Sequence, residues 1–228
     1  MGIATRVYAL DTQSTEEALL EQLCVINDDP EINGCLMFRP LPEFVDEKKA
    51  CDTLVIHKDI DGISTASLGA VFSDDPDVFA PCTAEACLTM LDHYDVPLAG
   101  KHVVVVGRSL VIGKPVAMLL LKRNASVTMC HSKTEDLRAL TRQADIVICA
   151  TGRPKAFDHT YFSPGQTVVD VGISFDDEGN LCGDVDFADV EPVVGAITPV
   201  PGGIGSVTTS VTMEHTVLAA ERQARLQK

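Results

Sequence analysis

Val103-Val-Val-Val-Gly107-Arg-Ser109-Leu-Val-Ile-Gly113-Lys-Pro115 is the stretch on which the fold turns. Four consecutive valines before a glycine read as a strand buried on both faces of a parallel sheet. Gly107 lets the backbone turn, and Gly113 with Pro115 opens an apolar helical run, Val116 to Leu121. A strand that turns through glycine into a helix aims free N–H groups and the positive end of the helix dipole at whatever lies above it. That geometry suits a phosphate. The usual dinucleotide fingerprint, Gly-x-Gly-x-x-Gly, is nevertheless absent, because Ser109 and Ile112 stand at its second and third glycine places. Glycine turns also occur in α/β loops that bind nothing, so this stretch alone leaves both readings open.

The second strand adds to the first. In a dinucleotide fold that takes NAD, an acidic residue about 20 positions beyond the first glycine holds the adenosine ribose. Here the strand Ala125-Ser-Val-Thr-Met129 ends in Cys130-His131-Ser132-Lys133-Thr134, with no carboxylate. Hydroxyls and cationic groups stand there instead, and Arg108 lies in the first turn. A 2′-phosphate suits these groups, since arginine offers a forked charged donor and serine a neutral one. Ser132 and Thr134 also read as caps of the following helix. The two readings are compatible, and the expectation is NADP rather than NAD.

The net charge of −15 excludes a phosphate-backbone binder of nucleic acid, which needs clustered Lys and Arg. No basic amphipathic helix, no bilayer-length apolar run and no signal-peptide layout is present, so no membrane partner is expected. The eight cysteines form no Cys-x-x-Cys pair, and most fall in apolar patterns, where a thiol packs as a small hydrophobe. Neither a metal site nor a disulfide framework is expected, and the chain reads as soluble, reduced and cytoplasmic.

The pattern alternates strand and helix. Strands are expected at Arg6–Leu10 and Gly34–Phe38, and helices from Ser14 (with a Ser14-x-x-Glu17 capping box), over Glu43–Leu54 and over Ala84–Tyr94. From Lys101 follow strand 103–107, helix 114–123, strand 125–129, helix 134–142, and strands 145–149, 167–170 and 193–197. That is a doubly wound parallel sheet of Rossmann type. A last helix, 206–227, is expected to return to the first region. Two lobes result: 101–205, and 1–100 completed by 206–228.

Ligands of such sheets bind beyond the carboxyl ends of the strands. Each of the five ends here carries a glycine or a small hydroxyl residue: Gly107-Arg108-Ser109, Cys130-His131-Ser132, Ala150-Thr151-Gly152, Val171-Gly172-Ile173 and Thr198-Pro-Val-Pro201-Gly202-Gly203-Ile-Gly205. Small residues there leave room for an extended ligand close to the backbone. Together with Asp170-Val-Gly-Ile173, Gly183-Asp-Val185, Pro40-Leu-Pro42, Lys58-Asp-Ile-Asp61-Gly62 and Pro81-Cys-Thr83, these motifs resemble the methylenetetrahydrofolate dehydrogenase/cyclohydrolase family over essentially the whole chain.

The resemblance implies NADP-linked oxidation of 5,10-methylenetetrahydrofolate to the 5,10-methenyl cation, followed by hydrolysis to 10-formyltetrahydrofolate. By it, Gly107, Arg108, Ser109, Ser132 and Ile173 hold the dinucleotide. Asp61 pairs with the pterin, although Asp59-Ile-Asp61-Gly62 is also a good turn by itself, and Pro201, Gly202 and Gly203 line the folate cleft. A homodimer is implied as well. The remaining alternatives are a non-catalytic NADP- or folate-binding remnant, and another Rossmann oxidoreductase of shikimate-dehydrogenase type.

Two departures stand out. Family members carry a Tyr and a catalytic Lys four residues apart, and none of Tyr8, Tyr94 and Tyr161 has a Lys four positions on. The resemblance sets Met1 just downstream of that lysine, so an N-terminally truncated folate lobe is expected and no residue is assigned as catalytic. Phe38 stands where many members have the Gln that orients the lysine. Lys58, the nearest substitute, reads as a solvated charge in its turn. Cyclohydrolase activity should suffer most.

Overall fold

The computed structural model describes residues 2–11 and 14–226. Its centre is the parallel sheet that the valine run predicts. β1 (His102–Val106) pairs with β2 (Ser126–Cys130) on one side and β3 (Ile146–Cys149) on the other; β4 (Thr167–Asp170) and β7 (Ala196–Ile197) continue the sheet, in the order β2-β1-β3-β4-β7. Val103 to Val106 are at most 2% exposed, so each contributes about 1.5–3 kcal/mol by burial. Period-two alternation sends Val103 and Val105 to one face and Val104 and Val106 to the other.

On the first face lie α4 (Cys82–His93), α5 (Gly113–Lys122) and the start of α8 (Ile204–Leu226), through Leu88, Leu91, Val116, Leu120, Ile204 and Val211. The second face is covered by α6 (Leu137–Arg142), by Phe157 and Phe162, and by Val190 of α7 (Phe187–Val190). A short antiparallel hairpin, β5 (Ser174–Phe175) with β6 (Leu181–Cys182), stands apart from the sheet. Six of the eight cysteines are buried, and all eight are free. Among the described residues no helix is long and apolar enough to cross a membrane.

The N-terminal part departs from expectation. It holds α1 (Glu16–Asp28) and α2 (Glu47–Thr53) around Leu23, Ile26, Met37, Ala50, Cys51 and Leu54, followed by α3 (Thr65–Phe72). The strand expected at 6–10 is absent: residues 2–11 are exposed and irregular, with no ladder to join. The strand expected at 34–38 is reduced to one bridge, Cys35 with Asp59, and Phe38 is 83% exposed rather than part of a buried strand. The first helix starts one residue later than expected. Thr15, not Ser14, is its N-cap, accepting from the Ala18 N–H, while the Glu16 carboxylate accepts from the N–H of Asp46. α3 was not foreseen, although Ser64 caps it and Ala70 and Val71 bury its inner face.

α8 ties the two parts together. It leaves the sheet core at Ile204 and Val211 and reaches Ile60 and Phe79 through Ala219. Near its far end, the Gln223 side chain bonds Asn33.

Candidate functional site

Strand order reverses between β1 and β3, and such a switch point is where open α/β sheets bind ligands. Gly107 sits at that point with φ +133°. A side chain there would collide with the Ala150 carbonyl at the end of β3. Gly113, opening α5, packs just as tightly on the Gly107 carbonyl. The two glycines therefore bring the β1 loop, the β3 loop and the helix start together, leaving a backbone cradle that any Cβ would fill. Ser109 Oγ accepts from the Ile112 N–H at 3.1 Å and shapes the loop.

Arg108 and Ser132 lie two residues beyond the register pair Val106 and Cys130, at neighbouring strand ends. Both are exposed, and among the described residues neither side chain has a hydrogen-bond or ion-pair partner. Thr134 is not a helix cap. Its Oγ accepts from the His131 N–H, and Asp136 caps α6 through the Ala139 N–H.

Two buried carboxylates organise the remaining loops. Asp170, at the end of β4, accepts from the N–H groups of Gly172, Asp184 and Val185. Asp184 accepts from Thr151 N–H and hydroxyl and from the Arg153 N–H. Burial pushes the Asp170 pKa up to about 6, against the pull of its three N–H donors. Thr198 Oγ accepts from the Asp170 N–H at 2.8 Å and so ties the start of the 198–205 loop to β4. Within that loop Gly202 has φ +97°, and a Cβ on Gly203 would strike the Pro199 carbonyl. Ile173 is exposed, and its side chain ends 3.9 Å from where a Cβ on Gly205 would stand. Motif reading picked out 170–173 and 183–185 but missed this function, although a buried Asp beside glycines is its signal.

Asp61 lies off the sheet, and Lys58-Asp59-Ile60-Asp61 sends its three charges in three directions. Lys58 is not a solvated charge: it is 3% exposed, and its ammonium donates to the carbonyls of Ile26, Asn27 and Asp29 at 2.7–2.8 Å. The carboxyl end of α1 is a natural seat for a cation, and burial lowers the Lys58 pKa. Asp59 turns inward to the N–H groups of Ile63 and Ser64 and the Ser67 hydroxyl. Asp61 alone keeps a partly exposed carboxylate, with its pKa raised by burial and opposed by Arg39 at 3.4 Å. Arg39 also reaches Glu47. Sequence reading weighed Phe38 here, but the side chain that faces Asp61 is its neighbour's.

The structure thus brings Gly107, Arg108, Ser109, Ser132 and Ile173 to the carboxyl edge of the sheet, with Gly205 at the end of the 198–205 loop next to Ile173. Asp61 is linked to the sheet through α4, whose Cys82 N–H reaches the Asp61 carbonyl, and through α8.

This arrangement has known relatives. The profile described as the tetrahydrofolate dehydrogenase/cyclohydrolase catalytic domain matches residues 1–61, and that of the family's NAD(P)-binding domain matches residues 81–224. The "Bifunctional protein FolD" of Carboxydothermus hydrogenoformans is 50% identical over 214 residues, covering 93% of this chain and 73% of the relative. The crystal structure of the Campylobacter jejuni bifunctional methylenetetrahydrofolate dehydrogenase/cyclohydrolase superposes with a TM-score of 0.95 at 36% identity, over 97% of this chain and 79% of that one. The Trypanosoma brucei enzyme, solved with NADP and an inhibitor, gives 0.88 at 33% identity over 93% and 75%. The match runs through both the sheet and the Asp61 turn, and the chain belongs to the tetrahydrofolate dehydrogenase/cyclohydrolase family.

Proposed function

We propose that this chain is an NADP-dependent methylenetetrahydrofolate dehydrogenase, with Arg108 and Ser132 as its 2′-phosphate ligands. The observation that carries the cofactor assignment is the pair itself: two exposed, unengaged donors at adjacent strand ends with no carboxylate between them. The Gly107–Gly113 cradle fits a pyrophosphate approaching the backbone, and Ser109 and Ile173 complete the cofactor set. Asp61 and the Pro201-Gly202-Gly203 loop are the folate ligands. In this reading the sheet region 101–205, with α4 and the start of α8 packed on its first face, forms the cofactor lobe, and the residues before α4 form the folate lobe. The protein acts as a homodimer in the cytoplasm, which sedimentation and fractionation test.

The chemistry NADP supplies when bound is acceptance of a hydride. Departure of that hydride from the methylene carbon is driven by the adjacent nitrogen lone pair of the folate, so the protein's task in this step is alignment. Asp61 orients the pterin, and the strand-end loops set the plane against which it lies. Hydrolysis of the methenyl cation is the family's second activity. It needs a positioned water and a proton-transferring group, worth roughly 10²–10⁴-fold. Lys58 is not that group, because three carbonyls occupy its ammonium. With Lys58 held in this way, dehydrogenase activity is expected to exceed cyclohydrolase activity.

One experiment tests both parts. Methenyl formation from methylenetetrahydrofolate is followed with NADP and NAD, and methenyl loss is followed separately, in wild type and Arg108→Ala. NADP should be preferred, and Arg108→Ala should lose about tenfold or more in NADP affinity with NAD unaffected, as expected for a charged hydrogen bond worth about 1.5–3 kcal/mol. Fast hydrolysis without hydride transfer would reverse the assigned roles. Absence of both activities would leave a non-catalytic binder of NADP or folate.

A further inference from the structure

His215 is a buried titratable residue with no part in the function above. It sits on α8, 2% exposed, with its ring stacked on Phe79 at 4.4 Å between centroids. Both ring nitrogens face acceptors: Nδ1 lies 2.8 Å from the Ile60 carbonyl, and Nε2 lies 3.1 Å from the Glu85 carboxylate. Burial alone would strip the proton from such an imidazole. The contacts to Cys82, Glu85 and the Ile60 carbonyl outweigh it and hold the ring cationic, donating from both sides.

The acceptor matters more than the charge. The Ile60 carbonyl belongs to the planar peptide whose nitrogen is that of Asp61. Cys82 Sγ donates to the same oxygen at 3.1 Å, and the Cys82 N–H reaches the Asp61 carbonyl at 3.4 Å. On the far side, Gly62 at φ +65° is pressed against the Ala80 backbone. The main chain of Asp61 is thus clamped on both sides. Of these clamps, only His215 arrives on the element that begins at the Gly202-Gly203 loop. Eleven residues of helix separate Ile204 from His215, a rigid span of about 16 Å.

We infer that His215 is a positioning residue for the folate substrate: through the Ile60 carbonyl it sets Asp61 at a fixed place relative to the Pro201–Gly203 loop. This rests on the reading of Asp61 as a pterin ligand. His215 touches no reacting atom in this role. Its effect belongs in folate affinity and KM, not in cofactor affinity.

The test uses the full chain and two substitutions. His215→Phe keeps an aromatic ring to stack on Phe79 but offers no donor. His215→Asn places an N–H near the position of Nδ1. Tetrahydrofolate and NADP dissociation constants are measured by calorimetry, and KM and kcat by methenyl formation. His215→Phe should weaken tetrahydrofolate binding and raise the folate KM by about tenfold, the loss of one charged hydrogen bond. Its NADP affinity and kcat should stay within about twofold, and His215→Asn should recover most of the folate affinity. In an Asp61→Ala background, His215→Phe should add nothing further. Equal losses toward both ligands, failure of Asn to rescue, or additivity with Asp61→Ala would overturn the inference in favour of a packing role. If His215→Phe does not fold, Cys82→Ala removes the second donor to the same carbonyl and should raise the folate KM by about threefold, with no change for NADP. An unchanged folate KM there would also count against the inference. Wild type that binds NADP but no folate removes the functional reading underneath; wild type that binds folate with an indifferent His215→Phe removes this inference alone.

Discussion

The carboxyl edge of the sheet and the turn at 58–62, the two candidate binding regions, both hold backbone in a fixed place, and they do so by opposite means. At the sheet edge, close approach is achieved by leaving side chains out: Gly107 against Ala150, Gly113 against Gly107, Gly203 against Pro199. In the turn it is achieved by driving charged side chains in: Lys58 into the end of α1, Asp59 into the start of α3, His215 onto Ile60. The first kind of order sets backbone against backbone, within a loop or between adjacent strand ends. The second depends on groups brought from up to 155 residues away.

The sharpest way to break this comparison is Lys58→Met. If the turn rests on the buried ammonium, losing it leaves three carbonyls unsatisfied and destabilises the fold by about 3–5 kcal/mol. Urea unfolding measures this, and a change within about 0.5 kcal/mol, the usual range for a surface charge, would return Lys58 to the solvent. On the sheet side, Gly107→Ala forces a side chain into φ +133° and into the Ala150 carbonyl. The expected cost is about 3 kcal/mol, with NADP affinity falling and tetrahydrofolate affinity kept. Losses toward both ligands would show that the two regions are one unit.

The smallest expected effect concerns pH and separates Asp170 from the charged residues of the turn. A carboxyl whose pKa rises from 3.8 to about 6 on folding holds its proton longer in the folded chain than in the unfolded one. Folding then takes up protons between those values, so stability falls as pH rises from about 4 to 6 and stays lower above. Asp170→Asn removes this component. Denaturant midpoints for wild type and variant across pH 4–7 should converge on the acid side by about 2 kcal/mol, and parallel profiles would refute the shift.

The same contrast explains what was legible in the sequence. The valine run, the glycine after it, the strand at 167–170 and the final helix are visible because burial on two faces and tight turns demand particular residue types locally. Cys35 and Phe38 look like members of a strand for the same local reason, yet among the described residues the segment makes a single bridge, Cys35 with Asp59, and Phe38 faces solvent. Lys58 was misread because its partners are main-chain carbonyls 29–32 residues upstream, and carbonyls leave no trace in residue type. Arg39 beside Asp61 was missed because two neighbours in an irregular segment point opposite ways, a choice set by tertiary contacts. The ligand candidates at the sheet edge needed no such information, whereas the geometry around Asp61 did.

The tether from His215 to Ile60 also has a consequence in time. The two residues are 155 positions apart, and contacts of such separation form late, because the intervening loop must close first. During synthesis at about 5–20 residues per second, α8 follows the Asp61 turn by about 8–30 s. The parallel sheet can assemble in that interval from strands already made. The turn that carries Asp61 gains its contact with His215 only when α8 has been made, so the order around Asp61 is completed well after its own residues are in place.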